Sequence, residues 1–389
     1  MSGEITVGGN ILASHTGIDG AGSLTLGNTV VPASSYMFRN KIINGDMRIS
    51  QRGDATGVTT TTYGGPDRFQ SILGTAGTWS LSKSTDAPSG SGFSNSFKWD
   101  CTTANNSLSA SSILMFGQKI EGQNVQDLAY GTSSAKNITL SFWVKSNLTG
   151  TYILEFFKET GSRQINRSYT INAANTWEHK SVTIPGDTSG ALANDNTAEF
   201  AVYWWLVAGS DFTSGTLNTS AWANSTNANR AVGQVNLASS TSNEIYITGV
   251  QLEVGTVPTP FEHRPLSVEL AMCQRYYEKS FNLNTAPANN TSEQTVVYSH
   301  QQSGYGTAIP LSFRVRKRAT ASLIIYNPFD TTANRAAWIA SSNQAFTHSD
   351  VHGITETGFT VINYSIPSGT TPDTSGNMIA FNWSADAEL

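Results

Sequence analysis

Short runs of alternating apolar and polar residues recur along most of the chain. In residues 138–146, ITLSFWVKS, apolar residues occupy every second position, and polar residues or Trp143 stand between them. Further strand-like runs follow, separated by Gly-, Pro- and Asn-rich turn signals roughly every eight to twelve residues. Because no long stretch has helical periodicity, the pattern predicts an antiparallel all-β domain over residues 38–264, a sandwich or a barrel.

Two segments depart from this pattern. Residues 265–280 begin with Pro265, which suits a first helical turn, and continue with apolar residues spaced by three or four, so a short linker helix is predicted. Residues 1–37 alternate brief strand-like pieces with glycine turns and contain too few apolar residues to bury a core. This N-terminal segment is either flexible or ordered by pairing with other copies or with a larger assembly, and its regular alternation favours pairing. Strand patterns return after the helix and predict a second β domain over residues 281–389.

Composition narrows the classes of function. Charged residues make up 13% of the chain, against a usual share of roughly 25%, and Ser, Thr, Asn and Gly take their place. Nine Trp and an aromatic content of 10% exclude a disordered chain and are typical of a β protein with neutral partners. The net charge of −5 argues against nucleic acid as a partner, since phosphate contacts need a basic face.

The two cysteines, Cys101 and Cys273, are far apart and give neither a disulfide framework nor a zinc spacing. We expect no secretory leader and no membrane insertion, because the first thirty residues lack a basic start and the longest apolar runs are far shorter than roughly twenty residues. No cofactor is predicted. The chain is therefore expected to fold in a reducing cytosol, even if it acts outside the cell.

Several stretches, taken in order, resemble a module of bacteriophage tail fibres and other phage tail proteins. That module is similar to the jelly-roll carbohydrate-binding domains of polysaccharide-degrading enzymes. The matching stretches are FRNKIINGDMRISQRG (38–53), GGPDRF (64–69), ITLSFWVKS (138–146), TWEHKSVTIPGDTSG (176–190), IYITGVQLEVGTVPTPFEHRP (245–265), ELAMCQRYYEKS (269–280) and LSFRVRKRATASLIIYNP (311–328).

The resemblance implies a jelly-roll sandwich over residues 38–264, with Asn44-Gly45 on its first strand. Related modules often carry acidic residues for a structural calcium where this chain has Thr248-Gly249, so a bound calcium is not expected.

The resemblance also implies a virion component, a phage tail fibre that recognises bacterial surface polysaccharide by multivalent binding without catalysis. It would be a homotrimer, assembled in the host cytoplasm and acting at the bacterial surface. Residues 1–40 would attach it to other virion proteins, residues 265–280 would lie near the threefold axis, and residues 281–389 would form a distal knob. Two alternatives stay open: a capsid-decorating or tail-structural protein without a receptor role, and a tailspike-type depolymerase.

Aromatic side chains are the candidates for glycan contact, because flat rings stack on the apolar faces of sugars. Alternation places Trp204 on one sheet face and its two neighbours on the other. Trp222 is the strongest candidate, since the residues around it are polar, while packing in the core is the alternative for every ring. Trp99 and Trp143 belong to the same aromatic group. The predicted contact residues are Tyr203, Trp205, Trp222, Trp338 and Trp383.

Two further motifs are candidate sites. The stretch FRVRKR (313–318) places Arg314, Arg316 and Arg318 on one face of a predicted strand, where they either contact acidic groups of glycans or protect a sheet edge. The stretch HSDVH places His348, Asp350 and His352 on one strand face, a spacing compatible with a metal, although a polar loop explains it equally well. No metal is predicted.

Catalysis has little support in the sequence. The four glutamates Glu155, Glu178, Glu244 and Glu253 lie in strand-like segments, and nothing indicates that any two converge as glycosidase carboxylates do. Neither a nucleophile-elbow serine nor a metalloprotease motif is present. We therefore predict a protein that is not an enzyme.

Overall fold

A computed structural model of the protein describes residues 3–7, 10–15, 24–26, 29–31, 38–291, 293, 296–300, 307–331, 335–339, 344–363 and 377–389. In the N-terminal segment, β1 (Gly3–Val7) pairs antiparallel with β2 (Asn10–His15), and β3 (Leu24–Leu26) pairs antiparallel with β4 (Thr29–Val31). In the described part of the chain, no helix has the length and apolar character needed to span a bilayer.

Residues 55–254 form two six-stranded antiparallel sheets that face each other. The strands are β5 (Ala55–Val58), β6 (Gln70–Gly74), β7 (Thr78–Ser84), β8 (Ser96–Thr103), β9 (Ile113–Glu121), β10 (Ile138–Ser146), β11 (Gly150–Lys158), β12 (Arg163–Ile171), β13 (Glu178–Ile184), β14 (Ala198–Ala208), β15 (Ala223–Asn224) and β16 (Glu244–Val254). Short helical turns lie between them at α1 (Ser210–Thr213), Gly122–Asn124, Gln126–Leu128, Asn227–Asn229 and Leu237–Ser239.

The first sheet has the strand order β13-β10-β16-β8-β7-β5, and the second has the order β15-β12-β11-β14-β9-β6. Their inner faces enclose one apolar core, because alternate residues of each strand point inward. Trp204 of the second sheet stacks on Phe116 at 5.2 Å between ring centroids, and Trp99 of the first sheet packs on the same phenylalanine at 3.8 Å. The predicted all-β class, an antiparallel jelly-roll sandwich, is confirmed.

The opening stretch of the sandwich is irregular, so the prediction of a first strand at Asn44-Gly45 is wrong. Residues 38–53 contain no strand, and Asn44 has a left-handed backbone with φ 60°. The Asn44 amide group hydrogen-bonds the backbone of Ile49 in both directions, at 2.8 and 3.0 Å, in place of a neighbouring strand. A Cβ on Gly45 would lie 2.1 Å from the carbonyl oxygen of Val250, which explains the glycine. The segment closes one end of the core.

The linker helix is shorter than the predicted 265–280. Helix α2 covers Leu266–Gln274, and β17 (Tyr277–Lys279) follows it, paired with residues 384–386. Cys273 and Tyr276 pack with Ile43 and Ile49 of the opening stretch. Because this apolar contact continues past Gln274, the pattern of spacings suggested a longer helix than the backbone forms.

Within the described residues, the remaining strands join β17 in one eight-stranded sheet. In chain order they are β18 (Val296–His300), β19 (Thr307–Ser312), β20 (Ser322–Tyr326), β21 (Arg335–Ile339), β22 (Gln344–His352), β23 (Gly358–Asn363) and β24 (Asn377–Asp386). The strand β24 pairs with β17, β18, β20 and β21. A second apolar cluster that includes Phe313, Phe359 and Trp383 lies against it.

Candidate functional site

The outer face of the second sheet is covered by the chain itself. Tyr203 and Trp205 point to this face, as alternation predicts, but they are 4% and 0% exposed. They pack with Phe212 and Leu217 of the segment 209–234, which folds over the sheet. A stacking platform needs an open ring face, so these two residues are packing residues and the prediction that they contact glycan is corrected.

A buried ion pair fixes this covering segment. Arg230 donates to both oxygens of Glu155, at 2.8 and 2.9 Å, and the indole nitrogen of Trp205 donates to the same carboxylate at 3.0 Å. Glu155 is fully buried. The carboxylate therefore anchors the segment and is not available to an external ligand.

Trp222 is also a packing residue. It is 8% exposed, lies edge-on to Tyr130 and Phe200, and donates its indole N–H to the Pro185 carbonyl at 2.8 Å. Its polar sequence neighbours face solvent from an irregular segment, which is why the local sequence did not indicate burial. Trp383 is 5% exposed in the second core, and the Trp338 side chain lies outside the described residues.

The basic stretch at 313–318 is not a strand. It forms bends in which Lys317 is fully buried against Glu278, while Arg314 and Arg316 are exposed and Arg316 pairs with Glu356. The predicted strand is therefore wrong, although Arg314 and Arg316 are exposed on the side opposite to the buried Phe313 and Lys317, as the alternation predicts. Arg318 is partly buried and donates to the backbone carbonyls of Asn196, Ala387 and Glu388.

The predicted strand around His348, Asp350 and His352 exists as β22. The side chains of the first two lie outside the described residues, and His352 is exposed. Among the residues that the structure describes, no group of three or more His, Cys, Asp or Glu could hold a metal ion.

The outer face of the first sheet carries a partly open group of rings. Trp143 of β10 lies beside His179 of β13, with ring centroids 5.2 Å apart. Trp177 precedes β13 and lies 6.3 Å from the ring of Tyr246, which is buried beneath it on β16. Both tryptophans are partly exposed. Unlike Tyr203 and Trp205 of the second sheet, these tryptophans have surface that a ligand can reach.

Two loop residues extend this group. Phe93 and Phe261 meet edge to face at 4.9 Å, and the exposed His263 lies against both. A Cβ on Gly249 would lie 2.7 Å from the Phe93 ring and 3.0 Å from the Trp143 ring, so the glycine lets both rings sit on the strand. We call the surface formed by Phe93, Trp143, Trp177, Tyr246 and Phe261 the aromatic face.

Polar groups interleave the rings of the aromatic face. Asp86 accepts from the indole nitrogen of Trp177 at 3.0 Å and pairs with Lys145, whose ammonium lies 4.5 Å from the Tyr246 ring centroid. Partial burial opposes ionisation of Asp86, but the hydrogen bonds from Lys145 and Trp177 outweigh it and lower the pKa of the carboxyl group. The carboxylate therefore stays charged well below neutral pH and holds Trp177 in place.

A second ion pair lies at the other side of Tyr246. Lys98 and Glu244 are 2.7 Å apart. Partial burial disfavours the charged ammonium, but the hydrogen bond to Glu244 and the neighbouring Tyr246 outweigh it and raise the pKa of Lys98. Fixed donors and acceptors beside aromatic rings are the combination that binds sugars, whose hydroxyls need partners and whose C–H faces stack.

Of the five members of the aromatic face, sequence reasoning grouped only Trp143 with the candidate rings, without predicting it as a contact residue. Its signal was a tryptophan on the polar side of an alternating strand. Trp177 and Tyr246 lay within recognised stretches without a distinguishing pattern. Phe93 and Phe261 are loop residues, and only the fold brings them together.

The four candidate carboxylates do not converge. Glu155 pairs with Arg230 and Glu244 with Lys98, while Glu178 pairs with Lys180 at 2.5 Å and Glu253 with Arg39 at 3.6 Å. Each is thus held in a separate ion pair.

These features define the protein as an all-β sandwich with one covered outer face and one open, aromatic outer face. No family profile matches the sequence, and a search of curated proteins finds no match.

Solved structures give distant structural matches. A putative sugar binding protein from Bacteroides thetaiotaomicron matches with 13% identity and a TM-score of 0.31, over 56% of this chain and all of that one. The family 11 carbohydrate-binding module from Clostridium thermocellum, in complex with a mixed-linked tetrasaccharide, matches with 14% identity and a TM-score of 0.25, over 49% of this chain and 91% of that one. The enzymatically active domain of tailspike protein 4 of bacteriophage CBA120 matches with 14% identity and a TM-score of 0.29, over 56% of this chain and only 22% of that one.

Proposed function

We propose that the protein binds glycans without catalysis and that the aromatic face is its binding surface. The observation that carries the proposal is the pair of partly exposed indoles, Trp143 and Trp177, set among fixed charged groups. A sugar ring stacked on either indole would find donors and acceptors in Lys145, Asp86 and His179. Its hydroxyls would then be satisfied while its apolar face leaves water.

We further propose that the binding serves adhesion of a phage tail fibre to bacterial surface polysaccharide. The support is the ordered set of tail-fibre-like stretches in the sequence, together with the partly exposed rings of the aromatic face. Single sugar sites are weak, with about −4 kcal/mol at millimolar affinity, so a useful adhesin needs several of them. A homotrimer held to the virion through residues 1–40 would supply three linked faces and an avidity gain of roughly 10²–10⁴.

The central test is a glycan array probed with the full chain and with Trp143→Ala. Loss of one stacking ring is expected to weaken binding about tenfold, since such contacts contribute on the order of 1 kcal/mol or more. Phe157→Ala is the matched control, because Phe157 is a partly exposed ring on the covered outer face of the second sheet. Equal losses in both variants, or no binding by the wild type to any surface glycan, would overturn the proposal.

Two further measurements address the remaining parts of the proposal. Incubation with host polysaccharide should release no new reducing ends, and their release would identify a depolymerase instead. Light scattering should give three times the mass of the chain. A stable monomer would contradict the tail-fibre assembly while leaving glycan binding to the array experiment.

A further inference from the structure

A cavity of about 300 Å³ lies at the end of the sandwich, and its lining shares no residue with the aromatic face. The opening residues 38–43, strand β9, the turn Gly122–Asn124 and the end of α2 surround it. Phe38 is 51% exposed and Asn124 is exposed, and both line the cavity, so it opens to solvent. The volume is at the lower end of the range for small-molecule sites.

The charged residues that line this cavity are all cationic. They are Lys41, Arg68, Lys119 and Arg264, and no carboxylate belongs to the lining. Three of these cations have carboxylate partners that do not line the cavity: Asp127 pairs with Lys41 at 2.8 Å, Glu388 pairs with Arg68, and Glu262 and Glu269 pair with Arg264 at 3.2 and 3.4 Å. The side chains that border the cavity thus present cationic groups to it, although most of these groups also have a carboxylate partner outside the lining.

Two of the cations are buried with a donor unused. Arg68 is 1% exposed and Arg264 is 7% exposed. Their terminal nitrogens are engaged, for example from Arg68 to the Lys119 carbonyl at 2.9 Å and from Arg264 to the Ile42 carbonyl at 3.1 Å. Within the described residues, however, the Nε–H of each has no hydrogen-bond partner. A buried donor without an acceptor costs on the order of 1–3 kcal/mol, so each side chain would gain by turning its Nε–H toward an acceptor bound in the cavity.

We propose that this cavity binds a carboxylate-bearing sugar, such as a uronic acid, as a site separate from the aromatic face. The carboxylate supplies acceptors to the guanidinium groups and to Lys119. The ring of Phe38 and the amide of Asn124 at the mouth suit a sugar ring better than a bare anion, because they offer a stacking surface and hydroxyl partners. The proposal does not depend on the aromatic face being a glycan site.

Calorimetry of the full chain tests the proposal with glucuronate as the probe, beside glucose and acetate. We expect glucuronate to bind with a roughly millimolar dissociation constant, and glucose and acetate to bind at least about tenfold more weakly. Equal affinity for glucose would show that the carboxylate does not contribute to binding and would overturn the proposal. Equal affinity for acetate would show that the sugar ring does not contribute to binding. The absence of binding heat with glucuronate would show that the cavity is not a binding site for this sugar.

The diagnostic variant is Asn124→Asp, which places a negative charge, the same sign as that of glucuronate, at the mouth of the cavity without changing the volume of the side chain. It should weaken glucuronate binding about fivefold, because the added charge repels the ligand in a partly solvated site. Asn106→Asp makes the same charge change at an exposed position in the β8–β9 connection and should leave the affinity unchanged. Trp143→Ala should also leave it unchanged, which separates this site from the aromatic face. A loss in either control equal to that in Asn124→Asp would overturn the assignment.

Discussion

Buried charges in this protein are compensated residue by residue. The clearest case is Asp187, which is 2% exposed and accepts from the fully buried Lys158 at 3.0 Å and from Arg163 at 2.7 and 3.0 Å. Burial opposes ionisation of Asp187, but these hydrogen bonds outweigh it and lower the pKa of the carboxyl group. The carboxylate thus neutralises an ammonium that has no access to water.

Replacement of Asp187 by Asn should destabilise the fold by about 3 kcal/mol, because it leaves the Lys158 charge buried without a counter-ion. Urea unfolding at neutral pH measures this. Asp211→Asn, at an exposed position, is the control and should not change the midpoint. Since the folded pKa of Asp187 is depressed, its stabilisation is present above its ordinary pKa near 3.8 and is lost as the pH falls below it. The wild type should therefore lose more stability than Asp187→Asn between pH 5 and pH 3, and parallel pH profiles would contradict this role.

Single residues also mark where sequence reasoning reached its limit. Trp143 shares the polar side of an alternating strand with Ser141 and Lys145, so the local pattern indicates an outward-facing ring. Trp222 could not be placed in the core, because the rings of Tyr130 and Phe200 that cover it come from distant parts of the chain. A local pattern reports which side a residue faces, but not what the rest of the chain places on that side.

At the scale of elements, a bulge in β16 organises the aromatic face. The register against β10 shifts between Ser141 and Trp143, where β16 contains one extra residue. Gly249 lies in this bulge and has a φ of 62°. An L side chain is strained in that conformation, and here a Cβ would also strike Phe93 and Trp143. The bulge thus positions two rings from separate elements.

Gly249→Ala should destabilise the protein by about 1 kcal/mol or more and weaken glycan binding by displacing Phe93 and Trp143. Thermal unfolding and the glycan array measure the two effects. Gly233→Ala is the control, because Gly233 also has a positive φ of 90° but has open space around its Cβ position. Both variants should lose stability through the positive φ, Gly249→Ala the more because of the clash with the rings, and only Gly249→Ala should lose glycan binding. Unchanged binding by Gly249→Ala would separate the bulge from the site.

The elements themselves were largely predictable from alternation, as in β10. The opening stretch was not, because its apolar residues alternate like those of a strand while Asn44 provides the hydrogen bonds that a neighbouring strand would otherwise supply. The end of α2 was misjudged for a related reason: apolar contacts continue beyond the last helical residue.

At the scale of the whole molecule, residues 386–389 join the last strand to the sandwich. The side chain of Glu388 is 5% exposed and pairs with Arg68 and, at 3.3 Å, with Arg52. Tyr63 donates to the Leu389 carbonyl at 2.6 Å. The C-terminal β region and the sandwich are therefore connected through buried charges as well as through α2.

Glu388→Gln should destabilise the whole protein by about 3 kcal/mol, because Arg68 is left buried without its carboxylate. Differential scanning calorimetry should show one transition moving to lower temperature. Glu356→Gln is the control, since its partner Arg316 is 70% exposed and such surface pairs contribute about 0–1 kcal/mol. A Glu388→Gln profile with an unmoved sandwich transition would show that the connection does not stabilise both parts.

The closing of the sandwich by its opening stretch also bears on how quickly the chain can reach its native state. Asn40 accepts from the backbone N–H of Leu252, 212 positions later in the sequence. At ribosomal rates of about 5–20 residues per second, roughly 10–40 s separate the synthesis of these two residues. Throughout that interval one end of the nascent core lacks its closing contacts, so we expect the chain to be most prone to aggregation before its final third is made. The same long separation between contacting residues raises the contact order, and folding should therefore be slow.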